Sequence, residues 1–242
     1  MYRYGVRPKL WLAVIVTCAA PVLAGPAIEI APGTFNFGKT MQHSTVTHTF
    51  WVRSTGDAPL KITEVVPGCG CTRAPLKDSL LAPGDSTSLE IIFSTRSFTG
   101  QVHKRPYLLT NASDDKIYID IKAEVLSDAK TMHPLRLTPY PVDIPHNPGR
   151  QNQRALFLIE NVGDRAVVLR VIDQPSATFQ VTLPDKIEPG QTAEGVVTVA
   201  KESAGIEFNR SFSFDIVENP RIRYTVPVRR ILPAPQEPAT GN

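Results

Sequence analysis

Residues 46–52 read Val46-Thr47-His48-Thr49-Phe50-Trp51-Val52, with Val46, His48, Phe50 and Val52 alternating against Thr47, Thr49 and Trp51. Successive side chains of a strand point to opposite faces, so a period of two with β-branched enrichment predicts a half-buried strand. Ser88, Glu90 and Ile92 alternate with Leu89, Ile91 and Phe93 in the same way. Further strands are predicted over 60–66, 102–110, 117–125, 155–160, 166–172, 193–199, 210–217 and 223–229. Gly-Asp, Pro-Gly and Asn-containing turns separate many of them, and the 22 prolines would interrupt most helical alternatives. About seven short strands per hundred residues predicts an all-β chain of immunoglobulin-like β-sandwiches.

Two such sandwiches follow from an internal repeat at an offset of about 107 residues. Ser54-Thr55-Gly56-Asp57-Ala58-Pro59 matches Asn161-Val162-Gly163-Asp164-Arg165-Ala166, and Phe35-Asn36-Phe37 matches Val142-Asp143-Ile144. Phe50-Trp51-Val52 matches Phe157-Leu158-Ile159. Leu81-Ala82-Pro83-Gly84-Asp85 matches Ile187-Glu188-Pro189-Gly190-Gln191 after a shift of one residue. Apolar residues meet apolar ones and turn residues meet turn residues. The expected organisation is a first sandwich over 25–126, a linker over 127–134, a second sandwich over 135–231 and a disordered tail over 232–242.

Residues 1–24 read as a secretory signal peptide. Arg3, Arg7 and Lys9 precede an apolar stretch from Leu10 to Leu23, and Val22-Leu23-Ala24 offers a small-residue cleavage site before Gly25. The apolar stretch falls short of the roughly 20 residues that span a bilayer, so no integral membrane segment is expected in the mature chain. A lipoprotein anchored through Cys18 is disfavoured, because Thr17 is a poor neighbour for a lipidated cysteine. The expected location is periplasmic or secreted, in a bacterium. Lys and Arg total 26 against 23 Asp and Glu, and the three positive charges of the leader account for the difference. A near-neutral mature chain gives no bulk attraction to nucleic acid or anionic membrane. His103-Lys104-Arg105 and the basic run 221–230 read as solvated strand faces.

The chemistry concentrates at Pro67-Gly68-Cys69-Gly70-Cys71-Thr72, which holds the two cysteines left after removal of the leader. The repeat places Ser176 opposite Cys69 and Thr178 opposite Cys71, so the fold is built elsewhere with hydroxyls at the same positions. That contrast points to thiols present for chemistry. A bond between Cys69 and Cys71 closes a very small loop, worth only about 1.6 kcal/mol in chain entropy. It requires a tight turn, which Gly68 and Gly70 supply. An exported compartment favours the oxidised pair, and an exposed, strained disulfide exchanges readily. Reduced, the same two sulfurs suit Cu(I), or zinc if two further ligands join them. Topology places the loops 38–44, 67–73 and 94–100 at the pole facing the linker, making Met41 and His43 the nearest candidate soft ligands. His43, His48, His103, His133 and His146 are otherwise scattered strand or surface residues.

Catalytic motifs of other kinds are lacking: there is no Gly-x-Ser-x-Gly elbow, no His-Glu-x-x-His and no Gly-rich phosphate loop. Asp57, Asp164, Asp114 and Asp115 sit in turns, where acidic residues cap the backbone. The ordered motifs Phe35-Asn36-Phe37-Gly38, Ser54-Thr55-Gly56, Pro59-Leu60-Lys61-Ile62, Gly68-Cys69-Gly70-Cys71-Thr72, Ala82-Pro83-Gly84-Asp85 and Thr110-Asn111 resemble the bacterial domain of unknown function 1573 over residues 28–125. That family is similar to ASH-type and PapD-like sandwiches. Residues 134–230 look like a diverged second copy without the cysteines.

The resemblance implies an exported, non-enzymatic module of unsettled biochemical role; because edge strands of such sandwiches accept an added strand, the expected function is binding or scaffolding of envelope proteins through edge strands or the interdomain groove. The alternatives are a thiol redox or copper-handling protein using Cys69 and Cys71, and a PapD-like chaperone. Protein recovered from the envelope and alkylated without reductant is expected to begin at Gly25, unalkylated and lighter by two hydrogens. An intact leader in its mass spectrum would refute the export reading; free thiols or an added metal mass would favour the copper reading.

Overall fold

The structure, a computed structural model, describes residues 25–145 and 153–232. The leader, His146 and the tail from 233 onward lie outside the described residues. The first copy contains β1 (Ile28–Ile30), β2 (Thr34–Met41), β3 (Thr45–Ser54), β4 (Leu60–Val66), β5 (Thr72–Arg73) and β6 (Leu80–Leu81). It continues with β7 (Ser86–Ser94), β8 (Gly100–Lys104), β9 (Tyr107–Thr110), β10 (Ile117–Tyr118) and β11 (Asp120–Leu126). The second copy contains β12 (Leu135–Thr138), β13 (Val142–Asp143), β14 (Arg154–Asn161) and β15 (Leu169–Asp173). It ends with β16 (Phe179–Thr182), β17 (Thr192–Val199), β18 (Phe208–Ile216) and β19 (Asn219–Arg230). Two single 3-10 turns, Ala129–Thr131 and Lys201–Ser203, complete the described elements.

Each copy has its own apolar cluster. Phe35, Phe37, Phe50, Leu89, Phe93 and Ile121 anchor the first; Phe157, Phe179, Phe212, Phe214 and Tyr224 anchor the second. Burying side chains of this size removes apolar surface worth about 1.5–3 kcal/mol apiece. The alternation read at 46–52 is kept in modified form: Val46, Phe50 and Val52 are buried and Trp51 is exposed, while Thr47 is also buried because the second copy covers it.

The repeat register recurs bond for bond. Ser54 N–H donates to Asp85 O and Asn161 N–H to Gln191 O; Gly84 N–H donates to Ser54 O and Gly190 N–H to Asn161 O. Ser94 N–H donates to Cys71 O where Ala200 N–H donates to Thr178 O. The strand predicted over 102–110 divides into β8 and β9 at Arg105-Pro106, because proline has no N–H for a ladder. It thereby leaves β11 in one sheet and joins β4 in another. The strand predicted over 117–125 divides at Ile119 for the matching reason, its N–H being held by Pro106 O. The loop expected over 38–44 is shorter, since β2 runs on through Gly38 to Met41.

The copies meet in one continuous sheet of order β15-β18-β19-β2-β11-β8. Strand β2 lies parallel to β11 within its own copy and parallel to β19 of the other, with Lys39 opposite Tyr224. Gly38, at φ +63°, makes the approach possible: a Cβ there would sit 2.3 Å from Arg223 O. Around it Thr225 Oγ1 donates to Phe37 O at 2.5 Å and Arg223 Nη1 to Asn36 O at 2.9 Å. The Tyr140 hydroxyl donates to Thr225 O at 2.8 Å, accepts from Met41 N–H at 3.2 Å and meets Thr40 Oγ1 at 2.7 Å. A second seam joins β3 to β18, where Thr47 and Ser211 exchange three hydrogen bonds, from Thr47 N–H, Ser211 N–H and Ser211 Oγ, at 2.8–3.2 Å.

Gly38→Ala is expected to destabilise the junction by more than the roughly 1–2 kcal/mol that a left-handed non-glycine residue costs, because the methyl also strikes Arg223 backbone. A wild-type urea midpoint in this variant would overturn the account. Desolvation, outweighing its hydrogen bonds, pushes the Tyr140 phenol up from 10.0 to about 12. The folded state therefore holds its proton more tightly than the unfolded chain. This contribution to stability is complete below pH 10 and is lost as pH rises toward 12. Tyr140→Phe should flatten that part of the alkaline stability profile.

Candidate functional site

The Cys-Gly-Cys turn connects β4 to β5 at the edge of the sheet of order β1-β3-β7-β5. Gly68 adopts φ +81°, and Thr72 N–H closes the turn on Cys69 O at 3.2 Å. This brings the Cys69 and Cys71 α-carbons to 5.2 Å with their sulfurs at bonding distance, inside the range that a disulfide spans. Gly70 O accepts from the guanidinium of Arg96, a non-glycine residue held at φ 43°. His43 N–H donates to Arg96 O at 2.7 Å, and Gln42 N–H donates to Leu126 O at 2.9 Å. The turn, the 42–44 and 94–98 loops and the end of β11 therefore converge.

The two cysteines differ in exposure. Cys71 is 6% exposed within the first apolar cluster, whereas Cys69 is half-buried against it. Thr72, itself buried, places Oγ1 at 3.4 Å from Cys69 Sγ and 3.8 Å from Cys71 Sγ. Thiol attack would reach Cys69 more easily, and the Thr72 hydroxyl could donate to a sulfur released as thiolate. Met41 packs against the apolar cluster of the second copy while Cys69 packs against that of the first, so the structure does not gather Met41 with the sulfurs. His43 joins the neighbourhood through its backbone. Among the described residues no three His, Cys, Asp or Glu side chains form a cation cluster.

A second feature escaped the reading of single strands. His48 stacks on Phe35 at 3.6 Å between ring centroids and its Nδ1 lies 2.9 Å from Asp173 Oδ2, across the two copies. Beside it opens a groove of about 450 Å³ lined by Thr49, Trp51, Ser88, Glu90, Ser176 and Arg210. Arg210 is tied to Glu90 at 3.0 Å. Trp51 is 61% exposed on its rim. The signal available in sequence was the His48-Trp51 pair on opposite faces of one strand, but the partner, Asp173, comes from 125 residues away.

Residues 28–125 match the model of a family described as Protein of unknown function (DUF1573). The match covers the copy that carries Cys69 and Cys71. No relative matches among curated proteins. Among solved structures, a protein of unknown function from Porphyromonas gingivalis W83 is 14% identical, with 84% of this chain and 99% of that one covered and a TM-score of 0.34. The Pseudomonas aeruginosa CupB2 chaperone is 10% identical, with coverages of 78% and 98% and a TM-score of 0.25. The E. coli chaperone DraB is 12% identical, with coverages of 83% and 98% and a TM-score of 0.29. Likenesses of this size carry no functional argument.

Because Ser176-Ala177-Thr178 forms the corresponding turn without sulfur, Cys69→Ser combined with Cys71→Ser should retain the fold. Its urea midpoint should fall by the equivalent of about 1–2 kcal/mol, the loop-entropy share of so short a bridge. Loss of cooperative unfolding would show instead that the bond is structurally indispensable.

Proposed function

We propose that this chain is an exported, non-enzymatic binding module that receives an extended segment of an envelope protein at the groove between its copies. The observation that carries the reading is the position of β15. It is an edge strand of the shared sheet, and its last residue, Asp173, lines the groove together with Trp51. An edge strand offers unpaired backbone N–H and C=O groups to an added strand, and an adjacent groove reads alternate side chains of that strand. Hydroxyls of Thr49, Ser88 and Ser176 supply polar contacts, and Trp51 supplies an amphipathic anchor.

Export is supported by the local chemistry of Gly25. Its N atom lies 2.6 Å from Asp57 Oδ1, and Asp57 N–H returns to Gly25 O at 3.2 Å. Cleavage before Gly25 would place a new ammonium group on that carboxylate, converting a neutral hydrogen bond into a charge-assisted one. No described helix is long and apolar enough to cross a membrane.

A second reading, thiol exchange, draws on the half-buried Cys69 sulfur beside Thr72. Copper handling by the same pair would first require its reduction. Loss of the cellular phenotype in the folded double-serine variant would select the thiol reading over binding.

A photoreactive side chain at Thr49 should crosslink a discrete envelope protein whose affinity falls about thirtyfold in Trp51→Ala, the loss of about 2 kcal/mol expected of an aromatic anchor. Backbone amides of β15 should gain exchange protection in that complex. A monomer that yields no crosslink, or a complex that leaves β15 unprotected, would refute the reading.

A further inference from the structure

Three of the four arginines of β19, Arg223, Arg229 and Arg230, differ in how their Nε–Nη2 edge is paired. Arg223 closes its Nε–Nη2 edge on Asp215, at 2.7 and 3.0 Å. Arg229 closes the same edge on Asp143, at 2.7 and 2.8 Å. Arg230 is fully buried, donates Nη1 to Ser203 O at 2.8 Å, and leaves Nε and Nη2 without a hydrogen-bond partner among the described residues. Those two nitrogens form the fork that matches a carboxylate or phosphate in parallel hydrogen bonds.

Folding alone does not call for an arginine there. The parallel registers Phe35 with Ile121 and Val142 with Val228 are equivalent in the two copies, and two residues further along lie Ala123 and Arg230. Both are core positions, at 1% and 0% exposure. The first copy fills its position with a methyl group and the second with a guanidinium, whose burial unpaired is costly. Burial also pulls the Arg230 guanidinium below its ordinary value.

Arg230 lines a second groove, of about 730 Å³, which shares Thr178 and Arg210 with the one beside His48. Arg73, exposed and two residues from Cys71, enters it from the first copy; Arg210 and Arg229 also line it but are neutralised by Glu90 and Asp143. Among the described residues Glu207 is the single carboxylate of the wall. Ile206 and Ile231, 53% and 67% exposed, add apolar surface.

We propose that this groove is an oxyanion-binding site in which Arg230 takes a carboxylate or phosphate group on its Nε–Nη2 edge, with Arg73 as a second cation and the two isoleucines contacting an apolar portion of the ligand. The fork is shielded from solvent, so the anion enters by parting the groove wall and then pairs where water and salt screen it little. Anion binding here does not require strand addition at β15, although Thr178 and Arg210 border both grooves.

The test is thermal unfolding of the full chain in sodium phosphate and in sodium acetate, each against chloride at matched ionic strength, for wild type and Arg230→Met. The expected result is a Tm of the wild type that rises with phosphate, acetate or both, following ligand concentration. Phosphate alone assigns a phosphoryl ligand; acetate alone, or acetate at least as effective, assigns a carboxylate. Arg230→Met should lose that rise and unfold at a higher temperature than the wild type in chloride. A wild-type Tm that neither anion moves, or a rise equal in Arg230→Met, overturns the proposal. Should the variant fail to fold, the Arg230 Nε–Hε resonance of the wild type decides: a saturable shift on titration supports the site, and an unmoved resonance overturns it.

Discussion

The backbone of Arg223 passes so close to Gly38 that any side chain at that position would collide with it, and the joining of the two copies depends on this contact. Once β19 lies beside β2, the remaining junction contacts follow from geometry. Thr225 reaches Phe37 O, Tyr140 bridges Thr40 to Thr225, and Thr47 meets Ser211 on the neighbouring seam. The result is a shared sheet, with backbone polar groups of each copy satisfied by the other. A flexible pair of beads would leave those groups to water; here a substitution that removes one partner while the junction stays closed leaves the other buried and unpaired, at about 1–3 kcal/mol for each one.

Much of this architecture was legible because β-sandwiches write their pattern locally. The alternation at 46–52 and 88–93, the Pro-Gly turns at 83–84 and 189–190 and the matched Gly-Asp turns reported both the strands and the repeat register. The turn at Cys69–Cys71 was legible too, since glycine on either side of a cysteine is a local statement. What sequence could not show depended on distant partners. His48 reads as an unremarkable strand residue until Asp173 arrives across the groove, and Thr47 reads as solvent-facing until Ser211 covers it. The basic run 221–230 read as a solvated face; instead Arg223 and Arg229 are ion-paired and Arg230 is buried, because β19 is an interior strand with β18 on one side and β2 and β13 on the other.

The two copies also act as references for each other. Where both carry the same feature, such as the buried Ser54 and Asn161 that hold equivalent turns, the shared scaffold accounts for it. Where they diverge, the scaffold does not. Cysteines at 69 and 71 against Ser176 and Thr178 mark one divergence, and Ala123 against Arg230 marks another. The first lies in the copy matched by the family model and the second in its partner copy, yet Arg73 brings the two neighbourhoods to one groove.

The shared sheet has a consequence for the order of assembly. Thr225 and Phe37, which bond across the junction, are 188 residues apart in the chain. A ribosome delivers β2 long before β19, so β2 keeps an open edge while nearly all of the intervening sequence is made. Pairing at such separation carries a large loop-closure cost and comes late in folding. Until then the first copy presents a free strand edge, the kind of surface through which partly folded β proteins associate wrongly. Strand β19 is therefore also the cover of the first sandwich, and a nascent chain truncated ahead of residue 219 would be left with that edge of β2 exposed.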